Sequence, residues 1–143
     1  MREIMFRGKM DDGEWVYGSF CMDAREQFNG LCGVDGFIRL YDKAKGKMQT
    51  YEVDRETVGQ YTGLKDKNGK RIFEGDVVLG LHHHELAVKG VVTFRDGAFG
   101  LRWNRGKVRE FSAFTSICHV TYDVIGNIHD NPELLEEENN ETN

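Results

Sequence analysis

The strongest constraint on the fold is a missing pattern, because no segment of about ten residues or more keeps the period of an amphipathic helix. The chain instead alternates short segments rich in aromatic and β-branched residues with turns. Its 143 residues include 17 glycines and one proline, spread along the whole length. Such segments are typical of β-strands. A chain of this length forms one domain or two small ones, and the pattern predicts a mainly β or α+β fold.

The first half predicts a small α+β portion. Strands are expected over 14–21, 36–41 and 48–53, two helical turns over 22–28, and a single capped turn over 54–57. In the second half, five short strands are expected, with a 3₁₀ turn over 113–116 before the last of them. That layout is typical of a small SH3-like barrel. These five strands cover 76–81, 86–94, 98–103, 107–112 and 122–128.

Turn residues separate these strands and suggest the domain limits. Asn68-Gly69 and Arg95-Asp96-Gly97 predict tight turns because their residues tolerate positive φ, and Asn104-Arg105-Gly106 predicts a third. Lys65-Asp66-Lys67 is most simply a solvated turn. We therefore expect an α+β portion over 1–66, a barrel over 67–132 and an acidic tail over 133–143.

The net charge of −5 belongs to that tail. Residues 133–143 hold five glutamates and no basic residue, and the 24 acids less these five balance the 19 bases. We expect the tail to stay mobile and to keep the protein soluble. No apolar run is long enough for a membrane span or a signal segment. Three cysteines without C-x-x-C spacing favour a reducing, cytoplasmic setting.

Two clusters are candidate sites. The first, His82-His83-His84, could bind metal with Cys118-His119, but structural zinc takes four ligands in recognisable pairs, so a polar hairpin tip is the simpler interpretation. We therefore predict no metal and no cofactor. The second lies within residues 97–109, which hold Trp103 and no acid. Alternation places Trp103 on the core face, while the basic residues could contact nucleic acid or a protein partner. Those residues are Arg102, Arg105, Lys107 and Arg109.

The residues give no sign of catalysis. Cys118 and His119 are neighbours in sequence, so on a strand they point to opposite faces and cannot act as a nucleophile and its base. A nucleophile elbow, a phosphate-binding glycine loop and a zinc-protease motif are all absent from the sequence. We predict that the protein is not an enzyme.

Three motifs occur in this order: REIMFR at 2–7, VGQYTGLKDKNGKRIFEGDVV at 58–78 and VIGNIHDNPELL at 124–135. Together they resemble the YopX family of phage and prophage proteins. The residues themselves specify structure: Gly75 permits a sharp turn that Asp76 can cap, and Asn131-Pro132 can start a helix. The resemblance implies an N-terminal α+β portion, a C-terminal SH3-like barrel and no established activity.

We therefore expect a phage or prophage accessory protein in the bacterial cytoplasm that acts by binding. Nine Phe, five Tyr and two Trp exceed what a small core hides, which favours self-association into a homo-oligomer or binding to another protein. The alternative is weak, salt-sensitive binding of nucleic acid through the basic hairpin.

Overall fold

The fold is mainly β. The computed structural model describes residues 2–22, 36–82, 85–105, 107–114 and 120–135, which form ten strands and one helical turn, Glu133–Leu135. No described helix has the length and apolar character needed to cross a bilayer. The strands are β1 (Phe6–Lys9), β2 (Trp15–Met22), β3 (Gly36–Asp42), β4 (Lys47–Lys65), β5 (Arg71–Phe73), β6 (Asp76–His82), β7 (Glu85–Arg95), β8 (Ala98–Arg105), β9 (Val108–Ala113) and β10 (Val120–Asn127).

The chain divides into an N-terminal unit, 1–61, and a C-terminal unit, 62–143. In the N-terminal unit β1 pairs with both β2 and β4, while β3 lies between β2 and β4. The four strands thus form a closed circuit of antiparallel pairings. Ile38 and Val53 are almost fully buried, and the rings of Phe6 and Phe20 lie 5.9 Å apart. The alternation of apolar residues that predicts these strands also supplies this core.

A β-bulge in β4 allows that circuit to close. Arg7 pairs with Gly59 but Lys9 pairs with Asp54, so the register shifts between them. The Asp54 carboxylate accepts the Glu56 N–H at 3.0 Å, as predicted, and the Thr57 hydroxyl accepts the Lys9 N–H at 2.9 Å. The helical turn predicted over 54–57 is nevertheless wrong. The same side-chain bonds that cap helices here stabilise an irregular strand.

The C-terminal unit contains a five-stranded antiparallel sheet in the order β10-β6-β7-β8-β9. The hairpin between β7 and β8 turns on Asp96 and Gly97, with φ of 52° and 81°, and Arg95 pairs with Ala98 across it. This confirms the turn predicted at 95–97, because both central residues have the positive φ of a two-residue hairpin loop. The loop fixes which residues of β7 and β8 share a face.

Alternate residues of these strands form the core of the C-terminal unit. The ring of Tyr122 lies edge-on to Phe114, with centroids 5.0 Å apart. Trp103 packs against the core, which confirms that it lies on the same face as Leu101. The fully or nearly fully buried members are Ile72, Val78, Val92, Leu101 and Tyr122.

The predicted strands all occur, with differences at the edges. β1 and β5 were not predicted, because segments of four and three residues carry too little alternation. β4 is longer than predicted and runs through the boundary between the units. Of the helical turns predicted over 22–28, Met22 ends β2 and 23–28 lie outside the described residues. Phe114 is in 3₁₀ conformation, while 115–116 are also outside them.

Candidate functional site

One row of residues crosses the C-terminal sheet on the face opposite the cluster around Leu101, and two of its members, Val77 and Val91, are themselves buried. Gly126 pairs with Val77 and Val77 with Val91. Val91 pairs with Arg102, and Arg102 with Phe111. Directly paired residues of neighbouring strands project from the same face. This outer face therefore changes from glycine and valine on β10, β6 and β7 to a basic and an aromatic residue on β8 and β9.

The C-terminal turn covers the glycine end of this row. A Cβ built on Gly126 would lie 2.8 Å from Leu134 Cδ1 and 2.6 Å from Asn131 Oδ1, so any other residue here would displace these two side chains. The side-chain oxygen of Asn131 accepts the Asn127 N–H at 3.3 Å, and the backbone carbonyl of Asn131 accepts the Leu134 N–H at 3.1 Å. The turn predicted to start at Asn131 is therefore present. Leu134 packs against β10, as the sequence suggests.

The other end of the outer face is basic. By the same register, Lys89 and Arg95 of β7, Arg102 of β8 and Arg109 of β9 project from it. We call these four residues, with Phe111, the basic face. None of the other described positions of β7, β8 and β9 on this side is acidic; they are Val91, Thr93, Ala98, Gly100, Asn104 and Ala113.

The cations of the basic face lie close enough to influence one another. Partial burial lowers the pKa of Arg102, and the charge of Arg109 lowers it further. The guanidinium carbon of Arg95 lies 5.8 Å from the centroid of the Phe111 ring, within reach of a cation–π interaction. Arg95 Nε also lies 3.7 Å from Asp96 Oδ2, a loose and exposed pair worth little. Like charges held together in this way favour an anionic partner.

A small cavity joins the basic face to the C-terminal turn. It has a volume of about 220 Å³ and is lined by Lys89, Arg102 and Asn104 on one side and by Leu135 on the other. Leu135 is the last described residue of the chain. The polypeptide therefore leaves the described structure beside two cations of the basic face.

The structure brings together only part of the predicted basic hairpin. Arg102 and Arg109 share the outer face, whereas Lys107 lies exposed in the turn before β9 and Arg105 pairs through its backbone with Val108. Lys89 and Arg95 were not predicted, since they lie on β7 and reach the face only through strand register. The two-residue loop predicted at 95–97 fixes which residues of β7 and β8 share a face, so it was the signal that could have found them.

The predicted metal cluster can be followed only in part. His82 is exposed at the end of β6 and pairs with Glu85, while His83, His84, Cys118 and His119 lie outside the described residues. Within the described ranges, no group of three or more His, Cys, Asp or Glu side chains could hold a metal ion. Metal binding at 82–84 stays a hypothesis.

The prediction that Lys65-Asp66-Lys67 is a solvated turn is wrong for Asp66, because this residue is only 7% exposed. Its Oδ1 accepts the N–H groups of Asn68 and Lys70, both at 2.9 Å, and its Oδ2 accepts the Val124 N–H at 3.1 Å. Burial works to raise the pKa of this carboxyl, but the three backbone donors and the Lys70 charge outweigh it, so the pKa is lowered. Asp66 therefore ties the turn to β10.

Asp76 forms a similar bond at the next turn. Its carboxylate accepts the Phe73 N–H at 2.8 Å, while Gly75 has a φ of 88°. This confirms the predicted roles of Gly75 and Asp76 in the motif. Asp66 and Asp76 thus both accept hydrogen bonds from backbone N–H groups.

The N-terminal unit exposes a different surface. Tyr41 pairs with Met48 across β3 and β4, and they are 58% and 49% exposed. Tyr17 is 45% exposed, and by strand alternation it lies on the same side of β2 as Ser19, which pairs with Arg39 of β3. We call Tyr17, Tyr41 and Met48 the aromatic face. It joins two large exposed rings and a thioether on one side of the circuit.

Comparison with known proteins identifies the family. The sequence matches the YopX protein family over residues 6–136, which include the second and third motifs and all ten described strands. The chain belongs to the YopX family. A crystal structure of protein EF1440 from Enterococcus faecalis is similar to this YopX chain, with 24% sequence identity and a TM-score of 0.42 over 94% of this chain and 99% of that one. A search of curated proteins found no match.

Proposed function

We propose that this YopX-family chain is an accessory protein of a phage or prophage that acts in the bacterial cytoplasm by binding and performs no chemistry. We also propose that its C-terminal unit is an SH3-like barrel. Two observations support the barrel: the last strand, β10, lies beside the first, β6, and a 3₁₀ residue, Phe114, follows the fourth strand. In this proposal the barrel presents the basic face to its partner.

The partner that fits the basic face best is nucleic acid. The observation that carries this is the convergence of Lys89, Arg95, Arg102 and Arg109 on one face of three adjacent strands whose other described positions there are not acidic. Phosphate groups supply the closely spaced negative charge that such a face attracts. The arrangement differs from the predicted hairpin in two of its four cations. It supports the same class of partner.

Phe111 favours single strands over duplexes. It lies next to Arg102 in the cross-sheet row, and Arg95 lies over its ring. An aromatic side chain among cations can stack an unpaired base while the cations bind the flanking phosphates. Bases in a duplex are already stacked and offer no free face.

Salt-dependent binding of a fluorescent single-stranded oligonucleotide tests this function. The wild-type chain should bind with an affinity that falls linearly with the logarithm of salt concentration. Removing two phosphate contacts with Arg102→Gln and Arg109→Gln should lower that slope by about 1.4 and the affinity about 10- to 30-fold near 0.1 M salt. Phe111→Leu should weaken single-strand binding about fivefold or more and leave duplex binding little changed.

The matched control removes two charges from the other unit. Lys43→Gln with Lys47→Gln alters exposed residues around the β3–β4 turn and should leave the slope unchanged. The proposed function is overturned if the wild-type chain does not bind at 50 mM salt, or if both double variants lose affinity equally.

The aromatic face supports self-association as a second candidate function. The paired residues Tyr41 and Met48, and Tyr17 on the neighbouring strand β2, leave apolar area exposed that a second copy of the chain could bury. Aromatic side chains supply much of the binding energy of protein interfaces. Sedimentation velocity across a 100-fold concentration range would detect the homo-oligomer.

In that experiment, Tyr41→Ser with Met48→Ser should reduce the chain to a monomer. Phe94→Ser is the control, since Phe94 is also about half exposed but lies in the C-terminal unit. A wild-type chain that is monomeric throughout would remove this candidate, as would an oligomer that the Tyr41 and Met48 changes leave intact.

A further inference from the structure

Residues 136–143, the part of the acidic tail that follows the described structure, begin close enough to the basic face to compete for it. The described structure ends at Leu135, which lines the same cavity as Lys89 and Arg102. The next three residues in the sequence are Glu136, Glu137 and Glu138, and Glu141 follows. Four carboxylates therefore begin within one residue of the cavity that holds two of the four cations.

The tail is long enough to cover the face. Glu141, the last glutamate, is the sixth residue after Leu135 and reaches up to about 20 Å from it when the chain is extended. Crossing from β7 to β9 requires two strand spacings, about 10 Å. Because Leu134 packs at Gly126 and Leu135 lines the cavity beside Lys89 and Arg102, the tail starts on the outer face. Arg109 and Arg95 thus lie within reach of the last glutamates.

The tail and the basic face carry charges of opposite sign. Each carboxylate–guanidinium pair at an exposed site contributes little alone. Tethering raises the effective concentration of the tail at the face to the millimolar range, so several weak pairs can together occupy the face for much of the time. A partner must then displace them.

We propose that residues 136–143 bind the basic face and act as a built-in competitor of the nucleic acid. This rests on the proposed function for its ligand, but the docking of the tail can be measured without any ligand. Carboxylates would occupy the positions of phosphates, so binding of the two is mutually exclusive. Rising salt weakens both.

The first experiment measures competition with the same single-stranded oligonucleotide. A variant in which Glu136, Glu137, Glu138 and Glu141 become Gln keeps the length of the chain and should bind at least about threefold more tightly than wild type at 50 mM salt, since exposed pairs of the usual strength are lost. At 0.5 M salt the two should bind alike, because screening shortens electrostatic interactions to a few ångströms. A chain ending at Leu135 should behave like the Gln variant.

The control separates docking from general charge repulsion. The control variant also loses four negative charges, but from exposed positions of the N-terminal unit: Asp11 becomes Asn, and Glu14, Glu52 and Glu56 become Gln. If this control binds as tightly as the tail variant, the tail acts only through net charge and the proposal is overturned.

The second experiment detects docking directly by amide NMR spectra of the free protein. Between wild type and the Gln variant, the signals of Arg102, Arg109 and Phe111 should shift at 50 mM salt and coincide at 0.5 M, while Tyr41 and Met48 stay unchanged. Absence of those shifts overturns the tail proposal, even if the oligonucleotide binds. If the amide signals shift but no oligonucleotide binds, the docking of the tail is supported and the proposed function is overturned.

Discussion

The two units of this chain are built from the same kind of strand but finish their sheets differently. In the N-terminal unit β1 pairs with both β2 and β4, so the pairings close on themselves. In the C-terminal unit the described pairings form a ladder from β10 to β9. Their outer faces differ as well, since one carries tyrosines and a methionine and the other arginines and a lysine. Strand alternation decides which residues are outside, and their identity decides what they can bind.

The two cores should show the largest and most similar effects. Ile38→Ala and Leu101→Ala each remove a fully buried side chain and should lower the free energy of unfolding by about 2–5 kcal/mol. Each unit contains one of the two tryptophans, Trp15 and Trp103, so single-tryptophan variants report each unit separately in urea. A loss below about 1 kcal/mol in the local probe would contradict the assigned core.

Asp66 should distinguish the units through pH. Its folded pKa lies below the ordinary value of 3.8, so the folded state holds its proton less firmly than the unfolded state. The stabilisation is therefore present above pH 4 and is lost as pH falls through 3.8 toward the lower folded pKa. Asp66→Asn should cost about 1–3 kcal/mol at pH 7, because a buried backbone donor loses its acceptor.

The measurement for Asp66 is the Trp103 unfolding curve at several pH values. Wild type should lose more stability than Asp66→Asn between pH 5 and 3, so the two curves approach each other in acid. Asp54→Asn, which alters an exposed carboxylate of the N-terminal unit, serves as the comparison. Parallel pH dependence in wild type and Asp66→Asn would contradict the role of this carboxylate.

The outer faces should contribute least to stability. Tyr41→Ser should change the free energy of unfolding by no more than about 0.5 kcal/mol, as expected for an exposed site. Arg109→Gln should raise it by a few tenths of a kcal/mol, because it removes a like charge beside Arg102. Thermal unfolding measures both, and a clear loss of stability on Arg109→Gln would show that Arg109 serves the fold.

The strands were predictable wherever alternation runs for six or more residues. β2, β3 and the hairpin of β7 with β8 carry that pattern together with turn residues, and they occur where expected. β1 and β5 are too short to show it. The turn expected over 54–57 became a bulge because pairing of β1 with β4, some 50 residues apart in sequence, overrides a local cap.

The candidate site was less predictable than the fold. The run 102–109 showed that cations are concentrated on β8 and β9, but only the pairing register reveals that Arg102 and Arg109 share a face with Lys89 and Arg95. The burial of Asp66 was hidden for the same reason, since its third donor, Val124, is 58 residues away. The sequence shows which residues of a strand alternate between its two faces, but only the tertiary structure shows which strands pair and in which register.

The closed circuit of the N-terminal unit also affects how copies of this protein can meet. A sheet edge with unpaired backbone groups can template the addition of another strand, which is a common route to fibrils and swapped dimers. With β1 joined to both β2 and β4, the backbone of β1 is already committed on each side. An approaching molecule must therefore bind there through its side chains. Single substitutions can strengthen or abolish such binding without unfolding the N-terminal unit.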